Sequence, residues 1–162
     1  MKETWDFSRC AAVFTAEIEL LKKIYGIHTA VRQGVMGREW TDFNEKNQEL
    51  NRLGEELTQL EDEREQLLGV LSEGEEKPFN ALISDLPMEE GRELSRLYRE
   101  LKMETLKMQT ANETFLVYLN EAKTLANAYL EAACPARGGK LYTRRGQKVS
   151  QDLRSLVFNN SF

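Results

Sequence analysis

The sequence is short of the residues that most site chemistry requires. It has one histidine, two cysteines and three prolines among 162 residues. His28 has no nearby cysteine and no HxxxH partner, so zinc ligation and histidine-based nucleophilic catalysis lack their minimum parts. Neither a GxxxxGK[ST] phosphate loop nor a GxGxxG fingerprint occurs. We therefore expect no enzymatic activity, no metal and no cofactor, and a structural or solvent-facing role for His28.

The sequence also has no signal for a disulfide framework or for a membrane segment. Cys10 and Cys134 are too few for a disulfide framework, and neither stands in a CxxC spacing. The first residues, Met1 to Asp6, include acidic side chains and begin no uninterrupted apolar run, so we expect neither a secretory signal nor membrane insertion. These observations predict a cytoplasmic protein with both thiols reduced.

Charge is distributed unevenly along the chain. Residues 1–134 carry 16 Lys and Arg against 26 Asp and Glu, whereas residues 135–162 carry six against one. This asymmetry predicts an acidic, solvated body followed by a basic interaction tail. A body with a net charge of -10 would repel a phosphate backbone, so we expect no nucleic-acid binding, even though the tail includes Tyr142 and Phe158.

The strongest positive signal is a seven-residue repeat of apolar positions that recurs in three segments. It predicts helices at about residues 4–33, 37–72 and 88–134, with Gly34 and Gly37 marking either a short turn or a kinked continuation. The apolar positions are Phe7, Ala11, Phe14, Ile18, Leu21 and Tyr25, then Phe43, Leu50, Leu53, Leu57, Leu60, Leu67 and Leu71, then Leu94, Leu97, Leu101, Met108, Ala111, Phe115, Tyr118, Ala122, Leu125, Tyr129 and Ala132. Lys46 and Arg64 interrupt the second series.

This organisation predicts an all-α protein, an elongated antiparallel coiled coil or three-helix bundle over residues 1–134. Gly74, Pro78 and Pro87 end the second helix and turn the chain. A small apolar cluster is expected at that turn, from Phe79, Leu82, Ile83 and Leu86. Met108, Phe115, Tyr118 and Tyr129 are expected to pack in the core, because they lie on the third series, although a long, thin bundle can leave some of them uncovered.

Residues 135–162 have a different character. Pro135 and the stretch Arg137-Gly138-Gly139-Lys140 predict a flexible basic tail. Within it, one apolar stripe falls at i, i+4, i+7 and i+8 on a short potential helix, namely Val149, Leu153, Leu156 and Val157. Such a short helix is marginal alone in water, so we expect it to fold when a partner supplies a groove.

Several segments together resemble the FlgN family of flagellar type III export chaperones, over nearly the whole chain. The long charged second helix is similar to the family's, and so is Asn112 followed by Phe115-Leu116 in the third. The most specific match is Leu141-Tyr142-Thr143-Arg144-Arg145-Gly146-Gln147, which resembles a short Tyr-x-x-x-Gly element that ends the folded part of such chains. Gly146 can adopt turn angles that other residues resist, and Tyr142 offers a ring and a hydroxyl to a partner.

The resemblance implies a chaperone that binds the C-terminal helical segments of flagellar hook-filament junction proteins, prevents their premature assembly and delivers them to the export gate protein FlhA. It assigns client binding to the tail stripe and gate docking to Tyr142. A protein of this kind is expected to be a monomer or weak homo-oligomer. The alternative is a structural coiled-coil adaptor or scaffold that self-associates tightly and has no transport role.

Overall fold

The computed structural model describes residues 5–133 except 74 and 76. Four α-helices follow one another: α1 (Phe7–Gly37), α2 (Phe43–Leu71), α3 (Phe79–Ser84) and α4 (Met88–Ala133). No strand occurs within these residues, and the predicted all-α helical bundle is confirmed. The chain divides into two compact units, the first ending at Tyr118 and the second beginning at Leu119.

The ends of α1 are fixed by local hydrogen bonds. The Asp6 carboxylate, on extended backbone, accepts from the Arg9 amide at 3.0 Å and caps the first turn. At the other end, Arg38 takes a left-handed conformation, with φ 59°. The Glu39 amide then bonds back to the Gly34 carbonyl at 2.8 Å, which is the pattern of a Schellman motif.

The first helix therefore continues past the predicted boundary at residue 33 and ends at Gly37. Gly34 lies in the last turn of α1, where the absence of a side chain lets the returning chain approach closely. A Cβ built there would lie 3.0 Å from the Glu39 carbonyl oxygen. The second helix correspondingly begins at Phe43 and not at residue 37. Gly34 and Gly37 thus correctly indicated a nearby helix end, although both lie inside the last turn of α1.

The segment between α2 and α4 includes the short helix α3, which the sequence analysis described only as an apolar cluster. Leu82 of α3 is buried, and the Phe79 ring stacks on Tyr98 of α4 with centroids 4.0 Å apart. Gly91 is buried where α3 meets α4, and a Cβ on it would lie 3.1 Å from Ile83. The close approach of α3 to the first turns of α4 therefore depends on a glycine.

Ion pairs fix the relative direction of α1 and α2. Arg9 pairs with Glu63 at 2.6 Å, and Lys23 pairs with Glu49 at 3.2 Å. Because the partner's number falls as the number along α1 rises, the two helices run antiparallel. Exposed pairs of this type contribute little stability individually, but their positions establish that α1 and α2 run antiparallel.

Contacts between α1 and α4 run in the opposite sense. Lys22 pairs with Glu100 at 2.8 Å, and the His28 ring meets Phe115 edge to face at 5.5 Å. Both numbers rise together, so α1 and α4 are parallel. Within residues 5–118, the long helices thus run up, down and up, as short connections between neighbouring helices favour.

The core of the first unit forms where the three long helices meet. Its main cluster contains Phe14, Ile18 and Leu21 of α1 with Leu94, Leu97 and Leu101 of α4, and Cys10 completes it. A second cluster joins Leu20 and Ile24 to Leu53 of α2. The central part of the α1 apolar series is therefore buried, as are the first members of the α4 series, whereas Phe7, Ala11 and Tyr25 of α1 are only half-buried. In α2 only Leu53 is fully buried, and the half-buried leucines that pack against the two clusters are Leu50, Leu57, Leu60, Leu67 and Leu68.

Candidate partner-binding site

The residues that the sequence analysis assigned to partner binding lie beyond the part of the chain that the structure describes. They form two groups, the Tyr-x-x-x-Gly element and the tail stripe. The predicted partner-binding residues are Tyr142, Gly146, Val149, Leu153, Leu156 and Val157. Their assignment stays a prediction, and the geometry of a candidate surface has to come from the described helices.

The most exposed apolar surface in the described chain is the last part of α4. Every residue from 119 to 133 is exposed. The large apolar side chains among them include Leu125, Tyr129 and Leu130, with Tyr129 69% exposed. A contiguous apolar surface of this kind is typical of an interaction site. We call residues 119–133 the α4 end.

The α4 end is amphipathic. At 3.6 residues per turn, its apolar residues occupy one broad face, which includes Leu119, Ala122, Leu125, Ala126, Tyr129, Leu130 and Ala132. The opposite face carries polar side chains such as Asn120, Lys123, Asn127 and Glu131. Neither glycine nor proline interrupts α4 between residues 92 and 133, and five alanines lie within the α4 end, so intrinsic propensity favours the helix even where its side chains are solvated.

The exposure of Tyr129 corrects the expectation that it packs in the core. The seven-residue series continues through Ala122, Leu125 and Tyr129, yet these side chains are solvated, whereas Phe115 on the same series is buried. Periodicity identifies the apolar side of a helix, but it contains no information on which other segment lies against that side. An apolar helical face that no segment among the described residues covers is suited to bind another amphipathic helix.

Inside the bundle, the structure brings together two charged residues that the sequence analysis did not connect. Arg64, predicted only as an interruption of the second apolar series, lies with its Nε 3.1 Å from Oε1 of Glu17 on α1. Glu17 is 1% exposed, and the Arg64 guanidinium also lies over the Phe14 ring at 5.7 Å. The signal available in the sequence was a charge of opposite sign on the apolar side of each helix.

Burial dominates the electrostatics of this pair. Removal of the Glu17 carboxylate from water raises its pKa from 4.5 to about 7, although the Arg64 charge opposes the rise. The two atoms at 3.1 Å do not meet hydrogen-bond geometry, which weakens the compensation that Arg64 provides. Burial likewise raises the pKa of the Cys10 thiol to about 11. Cys10 is therefore a neutral thiol at physiological pH, whereas Glu17 changes its charge near pH 7.

This shift predicts a specific pH dependence of stability. Because the folded-state pKa of Glu17 exceeds its ordinary value, stability from this group is full below pH 4.5 and is lost as pH rises to about 7. The loss amounts to about 3 kcal/mol. Glu17→Gln is expected to abolish this loss, so urea unfolding from about pH 4.5 to 8 should give a flatter profile than the wild type.

The exposed Glu113→Gln provides a matched control, because it removes a carboxylate from α4 without removing a buried one. It is expected to retain the wild-type dependence on pH. If Glu17→Gln and the wild type lose stability in parallel between these pH values, the folded-state ionisation assigned to Glu17 is wrong.

His28 is buried against Phe115, and this is the structural role expected for it. Burial lowers its pKa, and the nearby Arg32 guanidinium acts in the same direction. The imidazole is therefore neutral at pH 7. Across the described residues, no group of three or more His, Cys, Asp or Glu side chains is arranged to hold a metal ion.

A search of the described helices for membrane spans finds none that is both long and apolar enough to cross a bilayer. Comparison of the whole chain with protein-family models, curated proteins and solved structures finds no match in any of the three. The arguments for function consequently rest on this chain's own residues.

Proposed function

We propose that this protein is a chaperone that binds an amphipathic helix of a client protein, with the α4 end as part of the binding surface. The observation that carries the proposal is the solvation of every side chain from 119 to 133, including Leu125 and Tyr129. A client helix with a complementary apolar stripe would remove this surface from water. Burial of one such large side chain contributes about 1.5–3 kcal/mol before the entropic cost of association.

The client class follows from the sequence resemblance to FlgN-type export chaperones. We propose hook-filament junction proteins as clients, bound through their C-terminal helical segments in the cytoplasm and then delivered to the gate protein FlhA. In this proposal, Tyr142 serves gate docking and Gly146 allows a turn close to it. The tail stripe, beginning at Val149, adds a second apolar strip to the client surface, and the short sequence distance from Ala133 allows both to contact one client.

The main alternative is an adaptor or scaffold that uses the same apolar face to associate with itself. The two functions differ in solution mass. A chaperone without client is expected to be a monomer or weak homo-oligomer that forms a defined complex when client is added, whereas a scaffold self-associates tightly. Light scattering of the purified chain over a range of concentrations separates these outcomes.

The test of the proposed function is co-purification with hook-filament junction proteins from the same cell, using the intact chain and a version ending at Pro135. Retention by the intact chain alone would locate the essential contacts in the tail. Retention by both would keep the function and assign binding to the described helices. Retention by neither would contradict the chaperone proposal and favour the scaffold.

A double substitution in the α4 end tests the proposed surface directly. Leu125→Ser with Tyr129→Ser is expected to weaken client binding by roughly tenfold to a hundredfold, because both apolar contacts are lost. Isothermal titration with a purified junction protein measures the effect. Lys123→Ser with Asn127→Ser, on the polar face of the same turns, is the matched control and should bind client normally. Equal affinity of the two double variants would remove the α4 end from the proposal.

The tail is tested in the same titration. Leu153→Ser with Leu156→Ser is expected to reduce client affinity while the helical bundle keeps its stability. Unchanged affinity would exclude the tail stripe from client binding, and the α4 end would then have to account for the interaction alone.

A further inference from the structure

A shallow groove of about 830 Å³ lies where α3 meets the first turns of α4. Its lining combines apolar side chains with charged ones of both signs, namely Ile83, Leu86 and Met88, the arginines Arg92, Arg96 and Arg99, and the glutamates Glu89 and Glu93. Met88 is 68% exposed, so the groove presents unburied apolar surface beside three arginines and two glutamates. This groove lies within the first unit and is separate in sequence from the α4 end.

The three arginines form one row along α4. Residues 92, 96 and 99 are spaced at i, i+4 and i+7, and this spacing places them on one helical face. Continuing the same face, Met103 is 66% exposed and Leu106 is 48% exposed. We call Met88, Arg92, Arg96, Arg99 and Met103 the arginine face. From Met88 to Met103 it extends about 22 Å, or four helical turns.

The arginines differ in how their charges are compensated. Arg96 is held between Glu93 at 2.6 Å and Glu100 at 3.1 Å. Arg99 donates from Nε to the Ser95 carbonyl oxygen at 3.3 Å. Among the residues that the structure describes, neither Arg92 nor Arg99 pairs with a carboxylate.

The local charge also contrasts with the rest of the bundle. Residues 88–103, which the arginine face spans, contain four basic and four acidic residues and are neutral overall, whereas residues 1–134 as a whole have a net charge of -10. A row of arginines on a locally neutral segment of an acidic body favours a partner segment that is itself acidic, because such a segment is attracted to Arg92 and Arg99 and repelled elsewhere. The exposed methionines at both ends of the row can adapt to apolar side chains of varied shape.

We propose that the arginine face is a docking surface for an acidic amphipathic helix of a protein partner, distinct from the client surface at the α4 end. The partner helix needs about 15 residues to match four turns. Its carboxylates contact Arg92 and Arg99, for which guanidinium geometry allows bidentate pairing. Its apolar residues contact Met88 and Met103. The assignment does not depend on the identity of the client, because it uses other residues of the bundle.

A synthetic helix tests this assignment with the full-length chain. The probe is a fluorescein-labelled peptide of about 15 residues, with Glu and Leu arranged on one helical face. We compare it with a peptide of scrambled order and with a single-stranded oligonucleotide of equal charge. Fluorescence anisotropy at low salt is expected to show saturable binding of the amphipathic peptide alone, weakening as salt is added.

Variants locate the binding. Arg92→Glu with Arg99→Glu is expected to weaken peptide binding at least about tenfold, because attraction becomes repulsion at both positions. Lys102→Glu with Lys123→Glu makes the same change of charge at two exposed positions of α4 outside the arginine face, and is expected to lower affinity less than about threefold. Circular dichroism and the thermal midpoint confirm that both variants fold.

Three results would overturn the proposal. These are absence of saturable peptide binding to the wild type, equal loss in the two double variants, and equal affinity for the scrambled peptide or the oligonucleotide. The last would reduce the arginine face to a site of unspecific anion attraction. Client retention, measured with the Leu125→Ser and Tyr129→Ser variant, is read independently, so failure of one proposal leaves the other distinguishable.

Discussion

Replacement of Arg64 by Ala is expected to lower the free energy of unfolding by about 2–3 kcal/mol at about pH 8. The substitution leaves the Glu17 carboxylate, 1% exposed, without the guanidinium that lies 3.1 Å away. It also removes the cation over the Phe14 ring. At pH 8 the variant can protonate Glu17, whose folded-state pKa is about 7, so the lost charge pair accounts for about 1.4 kcal/mol and the lost packing of the Arg64 side chain for the rest of the effect. Urea unfolding at fixed pH measures it.

The effect of Arg64→Ala depends on pH in a known direction. Below about pH 5, Glu17 is protonated in the folded protein, so the loss of Arg64 should cost less than at pH 8. The variant Glu17→Gln with Arg64→Ala is the control, because the neutral amide needs no counter-charge. It is expected to be more stable at pH 8 than Arg64→Ala alone, and a double-mutant cycle yields the coupling between the two positions. Additive effects of the two substitutions would contradict the assigned pairing.

Phe14→Ala is expected to destabilise the protein by about 3–5 kcal/mol, through lost apolar burial and the cavity that remains. Phe14 is fully buried, and its ring lies 6.3 Å from that of Phe79 on α3. The substitution therefore opens the main core cluster beside the charged Glu17–Arg64 pair. Thermal and urea unfolding both report the loss, and the thermal midpoint is expected to fall by several degrees.

Tyr129→Ala is the matched control for a large aromatic residue outside the core. Because its side chain is 69% exposed, the expected change in unfolding free energy is within about 0.5 kcal/mol. A loss for Tyr129→Ala comparable to that for Phe14→Ala would mean that the α4 end is packed against another part of the protein. That result would also remove the basis for client binding at the α4 end.

The apolar series predicted the helical core well where two other helices contribute to it. Phe14 and Ile18 of α1 and Leu94 and Leu97 of α4 occupy predicted positions and are buried. This agreement has a simple physical reason, since hydrophobic burial constrains which face of a helix is apolar. Apolar residues that no segment covers produce the same pattern, so the series could not indicate that Leu125 is solvated.

Short-range geometry explains the other differences from the sequence-based expectations. Gly34 and Gly37 indicated the end of α1, but which of them ends it depends on the left-handed Arg38 and the returning Glu39 amide. Likewise, Glu17 and Arg64 are 47 positions apart in sequence, and their pairing depends on the register between α1 and α2. Register is a property of packing, and helical periodicity alone does not determine it.

The candidate client surface was predicted only in part. A long, thin bundle was expected to leave some aromatic residues of the predicted third helix uncovered. That helix is α4, and in the α4 end Tyr129 is exposed. The tail residues, from Tyr142 to Val157, remain predictions that rest on the resemblance and on a short apolar stripe. The arginine face was not anticipated, although the spacing of Arg92, Arg96 and Arg99 was visible in the sequence.

The burial of Cys10 has a consequence for the redox chemistry of the chain. Alkylating and oxidising reagents react with the thiolate, which a pKa of about 11 makes scarce, and the sulfur has no solvent-exposed surface. Reaction at Cys10 therefore requires the helices around it to separate. In a chain with Cys134 replaced by Ser, the rate of thiol modification therefore reports how often the bundle opens. Bound partners that hold the helices together would lower this rate.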